Sequence, residues 1–164
     1  MRKVYFKDQL YHLPDGSQIN DQVNLELVQS GTFENVKLDS FDGLTVLATY
    51  PSVDTRVCDL QIIRLASMSL ERQNVRFIGV SMDLPSAIDV YKNNHPIEKM
   101  KLYSDYKTRK LAEFLGVLIN EYQLCARSIF VLDKDNKIIY KQVNENTHEQ
   151  VDFDALEKFL DSTI

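Results

Sequence analysis

Cys58 is the side chain of this 164-residue sequence best placed to act as a nucleophile. It closes the stretch Pro51-Ser52-Val53-Asp54-Thr55-Arg56-Val57-Cys58, where an apolar, strand-like run gives way to an amphipathic helical pattern. A thiol in the first turn of a helix lies among N–H groups without intrahelical partners, at the positive end of the helix dipole. Both favour the nucleophilic thiolate over the thiol. Two nearby residues bear on that thiol, and each has a plainer reading. Thr55 is a helix cap or a hydroxyl that orients what the sulfur attacks. Pro51 ends a strand or walls a water-poor pocket.

The elements that must position these residues can be read from the pattern. Residues 3–13 and 17–28 read as two short strands about the turn Pro14-Asp15-Gly16. The nearly continuous apolar run 44–50 reads as a strand buried on both faces. Asp54 or Thr55 caps a helix that runs to Arg72, with Leu60, Ile63 and Leu70 on one face and Ile62 and Leu65 beside it. A second buried strand spans 75–81. Asp83-Leu84-Pro85 opens a helix that stops near His95-Pro96. A short strand at 101–103 and a helix at 107–115 closed by Gly116 follow. Residues 127–132 and 137–143 form a hairpin, and 152–160 a last helix. Strands alternating with helices predict an α/β, thioredoxin-like fold: a central mixed sheet flanked by helices. The expectation is one domain over 1–164, with 1–28 as an N-terminal hairpin extension.

Composition narrows the function classes. A net charge of −5 and the absence of a basic stripe argue against a nucleic-acid partner. No apolar run reaches the roughly 20 residues a membrane span requires. The first residues, Met1-Arg2-Lys3-Val4, lead into no apolar segment of a secretory leader, so a cytoplasmic location is expected. Cys58 and Cys125 are the only cysteines, too few for a disulfide scaffold and wrongly spaced for a zinc or Cys-x-x-Cys site. His12, His95 and His148 are scattered, so neither a metal nor another cofactor is expected.

Pro51-x-x-x-Thr55-x-x-Cys58, together with Arg127, resembles the active-site signature of peroxiredoxins. Ser81-Met82-Asp83-Leu84-Pro85 and Leu124-Cys125-Ala126-Arg127-Ser128-Ile129-Phe130-Val131-Leu132-Asp133 extend the likeness to the bacterial thiol peroxidase branch, in the right order. The resemblance implies a thiol-dependent peroxidase acting on hydrogen peroxide or alkyl hydroperoxides. Cys58 would pass through a sulfenic acid, with Pro51, Thr55 and Arg127 around it, and the chain would form a homodimer. Thioredoxin or another thiol would be the reductant.

The sequence departs from that branch in several places. The helix after Asp83-Leu84-Pro85 carries Lys92 where the branch has its resolving cysteine, which implies recycling by an external thiol. Cys125 is a surrogate resolver or a small buried hydrophobe. If 125–127 is one strand, Cys125 points the same way as Arg127 from about 7 Å along it. Arg56 replaces a glycine and either favours the thiolate further or is merely solvated. Ser86 replaces an aromatic residue, and Val23-Asn24-Leu25-Glu26-Leu27 replaces a proline-containing segment. The alternative function is a redox sensor or binding protein on a peroxidase scaffold without efficient turnover.

Overall fold

The computed structural model describes residues 1–163. In chain order the elements are β1 (Arg2–Phe6), β2 (Gln9–Leu13), β3 (Glu26–Gln29), β4 (Asn35–Lys37), β5 (Leu44–Thr49), α1 (Arg56–Glu71), β6 (Val75–Ser81), α2 (Pro85–Asn94), β7 (Lys101–Ser104), α3 (Lys110–Leu115), β8 (Leu118–Ile119), β9 (Leu124–Cys125), β10 (Ser128–Leu132), β11 (Ile138–Val143) and α4 (Phe153–Thr163). Seven strands form the central sheet in the order β11-β10-β5-β6-β7-β3-β4. The β5-β6-β7 core is parallel, and α1 and α2 make its crossovers. β10 joins β5 antiparallel, and β3 joins β7 antiparallel. The expected mixed sheet flanked by helices is therefore the fold.

Alternation along the central strands sends side chains to two apolar clusters, one on each face. Leu47, Ile78, Val80, Phe130 and Leu132 lie in the first, with α3 and the β1-β2 hairpin over them. Val46, Ala48, Phe77, Ile129 and Val131 lie in the second, with α1, α2 and α4 over them.

Several local expectations are corrected. The N-terminal hairpin turns at Lys7-Asp8, pairing Phe6 with Gln9, and both turn residues have positive φ, as a two-residue primed turn requires. Pro14-Asp15-Gly16 carries the stronger turn composition but makes no hairpin. Gly16 instead packs backbone to backbone on Gly116, where a Cβ would stand 2.5 Å from the Gly116 nitrogen. Most of 17–28 is irregular, and only its end enters β3. On α1 the buried stripe is Cys58, Gln61, Ile62, Leu65, Ala66, Met68 and Ser69. Leu60 and Leu70 are exposed, so the apolar face lies one position round from the expected one. α3 begins at Lys110 rather than 107, although Gly116 does cap it in the left-handed conformation.

Candidate active site

The site forms where the C-terminal end of β5 passes through residues 50–55 into α1. Thr55 is the N-cap, with extended backbone, and its Oγ1 accepts the Cys58 N–H at 3.2 Å. Cys58 is thus the third helical residue, within the first turn as expected, and it is fully buried. Capping uses the Thr55 oxygen as acceptor and leaves its O–H proton available to donate. The expected cap and the expected orienting hydroxyl are therefore compatible. Pro51 is buried directly after Tyr50.

Arg127 comes to Cys58 from between β9 and β10, 69 positions along the chain. Its Nη2 donates to Cys58 Sγ at 3.3 Å. Nη1 donates to Gln61 Oε1 at 2.7 Å, while Nε and Nη2 both donate to the Thr147 carbonyl, at 3.0 and 2.9 Å. Four of its N–H groups are thereby used, and one on Nη1 remains without a partner among the described residues. The guanidinium is only 1% exposed, so its attraction for the sulfur acts in a poorly screened interior. Arg127 thus sets a buried permanent cation in hydrogen-bond contact with the sulfur.

The loop before α1 is held by Asp83, two residues beyond the end of β6. Asp83 accepts from Ser52 Oγ at 2.7 Å, the Val53 N–H at 2.9 Å and Ser81 Oγ at 2.7 Å. Asp83 is therefore a hub for the Cys58 loop rather than a cap for α2, whose N-cap is Leu84 without a side-chain bond. A groove of about 520 Å³ runs from Ser52, Val53 and Asp54 along α2 to Tyr91 and His95. At its far end Tyr91 Oη donates to Asp59, the residue after Cys58. His95 stacks on Tyr91 with ring centroids 3.9 Å apart and lies 3.7 Å from the same carboxylate.

Thr55 and Arg127 both contact Cys58, and Pro51 lies buried on the loop that leads to it, whereas Cys125 does not join them. Ala126 and Arg127 interrupt β9 and β10, so the alternation assumed over 125–127 is lost. Cys125 sits in the cluster under α3 and the hairpin, and Cys58 in the cluster under α1, with the sheet between them. Both thiols are free and buried, and burial pushes the Cys125 thiol well above its usual range. Lys92 is exposed and lines a different groove, with Lys99, Lys101 and Tyr103. Arg56 and Ser86 are exposed. Gln61, Asp83 and Thr147 escape the sequence reading as site residues. Only Gln61 leaves a signal, as a polar residue one turn beyond Cys58 on the stripe that must be buried.

A thioredoxin-like sheet with a buried cysteine at a helix N-terminus under an arginine defines a class of thiol-active protein. The sequence model of the AhpC/TSA family matches residues 19–141, and the chain belongs to that family. Thiol peroxidase of Bacillus subtilis (strain 168) is 33% identical over 133 residues, covering 80% of each chain. Thiol peroxidase of Staphylococcus aureus (strain MRSA252) is 32% identical over 158 residues, covering 94% of this chain and 95% of the other. Among solved structures, a peroxiredoxin-like protein from Aquifex aeolicus superimposes with a TM-score of 0.90 at 25% identity, over 100% of this chain and 98% of that one.

Proposed function

We propose that this protein is a thiol peroxidase that reduces hydrogen peroxide or alkyl hydroperoxides through Cys58 at the expense of an external thiol. The observation that carries this reading is the buried contact between Arg127 and Cys58 in the first turn of α1. Relatives named thiol peroxidase, aligned over most of the chain, support the same activity.

The Cys58 thiolate attacks one peroxide oxygen, the O–O bond breaks, and the second oxygen leaves with the electron pair and takes a proton. Sulfur is oxidised to a sulfenic acid, and the peroxide is reduced to water or an alcohol. The Thr55 O–H and the remaining Arg127 N–H are donors for the peroxide oxygens, strongest where charge builds on the leaving oxygen. Buried Pro51 limits water around the sulfur. An external thiol then displaces hydroxide from the sulfenic sulfur, which leaves as water once protonated. A second thiol breaks the mixed disulfide and restores Cys58. Thioredoxin is one candidate donor. Lys92 at the family's resolver position and the sheet between Cys58 and Cys125 support this one-cysteine cycle, with Cys125 as core.

Intact mass after one equivalent of peroxide tests the scheme. Oxygen addition in both wild type and Cys125→Ser is expected. Loss of two hydrogens in wild type alone would mean an internal Cys58–Cys125 disulfide. Cys58→Ser consuming peroxide at the wild-type rate would overturn the assignment. The exposed Lys92 and the buried sulfur also suit a redox sensor; sustained NADPH-linked turnover with a thioredoxin system would reject that reading. Two free, buried cysteines fit a reducing compartment such as the cytoplasm. Leu60, Leu84 and Val90, exposed on or beside α1 and α2, suit a homodimer surface, which a sedimentation measurement tests.

A further inference from the structure

The segment 144–150, between β11 and α4, touches the site from two sides. The Thr147 carbonyl takes two of the Arg127 N–H groups, and Gln150 Nε2 donates to the carbonyl of Val57, in the first turn of α1, at 3.2 Å. The Asn144 N–H also holds the Arg127 main-chain carbonyl at 2.9 Å. The segment is fixed in turn from the opposite end of the chain. The Tyr5 N–H donates to the Glu145 carbonyl at 2.6 Å, and the Tyr5 carbonyl accepts both the Thr147 N–H at 3.0 Å and Thr147 Oγ1 at 2.9 Å. Tyr5 can do this because alternate residues of an antiparallel pair turn their N–H and C=O away from the partner strand. At Tyr5, opposite Leu10, they face 145–147.

Building on the assignment of Cys58 and Arg127 above, we propose that Thr147 is a positioning residue for peroxide reduction and that β1 is part of the active-site frame. The chemistry of the acceptors carries the argument. Arg127 is buried, yet among the described residues no carboxylate lies within ion-pair distance of it. A carboxylate would orient the guanidinium but also neutralise it. The Thr147 carbonyl and the Gln61 amide oxygen orient it by dipoles and leave its full charge for the sulfur and the developing oxyanion. Two N–H groups on one carbonyl fix the direction of the fork, and Gln61 on its other arm fixes its plane. A carbonyl can do this only if the residue that carries it is immobile: the bonds to Tyr5 fix the Thr147 N–H and hydroxyl, and Asn146 Oδ1 holds the His148 N–H of the carbonyl's own peptide at 2.9 Å.

Thr147→Val removes the hydroxyl bond to Tyr5 at constant shape, Thr147→Ser keeps it, and Tyr5→Pro removes the N–H to Glu145 outside the β1-β2 ladder. Single-turnover oxidation of Cys58 by hydrogen peroxide is expected to slow about 10-fold in Thr147→Val and in Tyr5→Pro, and to stay within about 2-fold of wild type in Thr147→Ser. The pH profile of iodoacetamide alkylation of Cys58, which reports the thiolate Arg127 holds, is expected to move to higher pH in the same two variants. A folded Thr147→Val that matches wild type in both measurements would overturn the clamp, as would equal losses in Val and Ser. Should Thr147→Val fail to fold, Tyr5→Pro decides by the same criteria. A wild type that alkylates but does not reduce peroxide would reject the peroxidase assignment instead, and the alkylation profiles would still judge Thr147.

Discussion

At the scale of single residues, the site depends on one guanidinium satisfying three acceptors at once. A lysine at 127 offers a point charge and cannot span the Thr147 carbonyl, Gln61 and the sulfur together. Arg127→Lys is therefore expected to slow oxidation of Cys58 by about 10²- to 10³-fold, read by stopped flow with hydrogen peroxide. Retention of more than half the rate would show that charge alone suffices. Of the proposed site residues, Cys58, Thr55 and Pro51 are legible in the sequence because each is a residue type with a restricted repertoire at a close spacing, and Arg127 through the resemblance to peroxiredoxins. Thr147 is not, because it contributes a main-chain carbonyl, which every residue possesses. Asp83-Leu84-Pro85 reads as no more than a helix opening because an Asp before Leu-Pro has that local signature, whereas the Asp83 partners Ser52 and Val53 lie 31 and 30 positions away.

At the scale of elements, α1 and α2 are fastened beside the nucleophile by Asp59. Its carboxylate accepts from Tyr91 Oη and lies near His95, so the first turn of α1 is tied to the far end of α2. Together with burial, this carboxylate holds the Tyr91 phenol well above its usual range. Asp59→Ala should loosen that turn, raise the rate of iodoacetamide labelling of Cys58 several-fold, and cost about 1–2 kcal/mol of stability through the lost bonds. Labelling at the wild-type rate would show that the tie does not control access. Element types were readable wherever period and length agreed, as in β5, α1 and β6. The hairpin failed because Lys7-Asp8 lacks the Asn-Gly signal of a primed turn, while Pro14-Asp15-Gly16 displays turn chemistry used for close packing on Gly116. The alternation about Cys125 failed because a break of two residues separates β9 from β10, and periodicity cannot register so short a break.

At the scale of the whole molecule, one buried carboxyl group sets a pH dependence of stability. Asp105, between β7 and α3, is 2% exposed, and burial raises its pKa to about 6 although Oδ2 accepts the Ala112 N–H. An acid whose pKa is higher folded than unfolded binds its proton more tightly when folded. Its contribution is complete below the unfolded value near 4 and is lost as pH rises through about 6. Denaturant titrations should show this contribution falling by up to about 3 kcal/mol between pH 4 and pH 7. Asp105→Asn should abolish that slope while keeping an acceptor for Ala112; an unchanged slope would assign it to other groups. The junction of β1 with residues 145–147 has a consequence in time. Tyr5 is made 142 residues before Thr147, so an emerging chain carries Cys58 without its partner frame until Thr147 follows it. The reactive thiol is assembled only once Thr147 has been made, and peroxide met earlier encounters an unpoised cysteine.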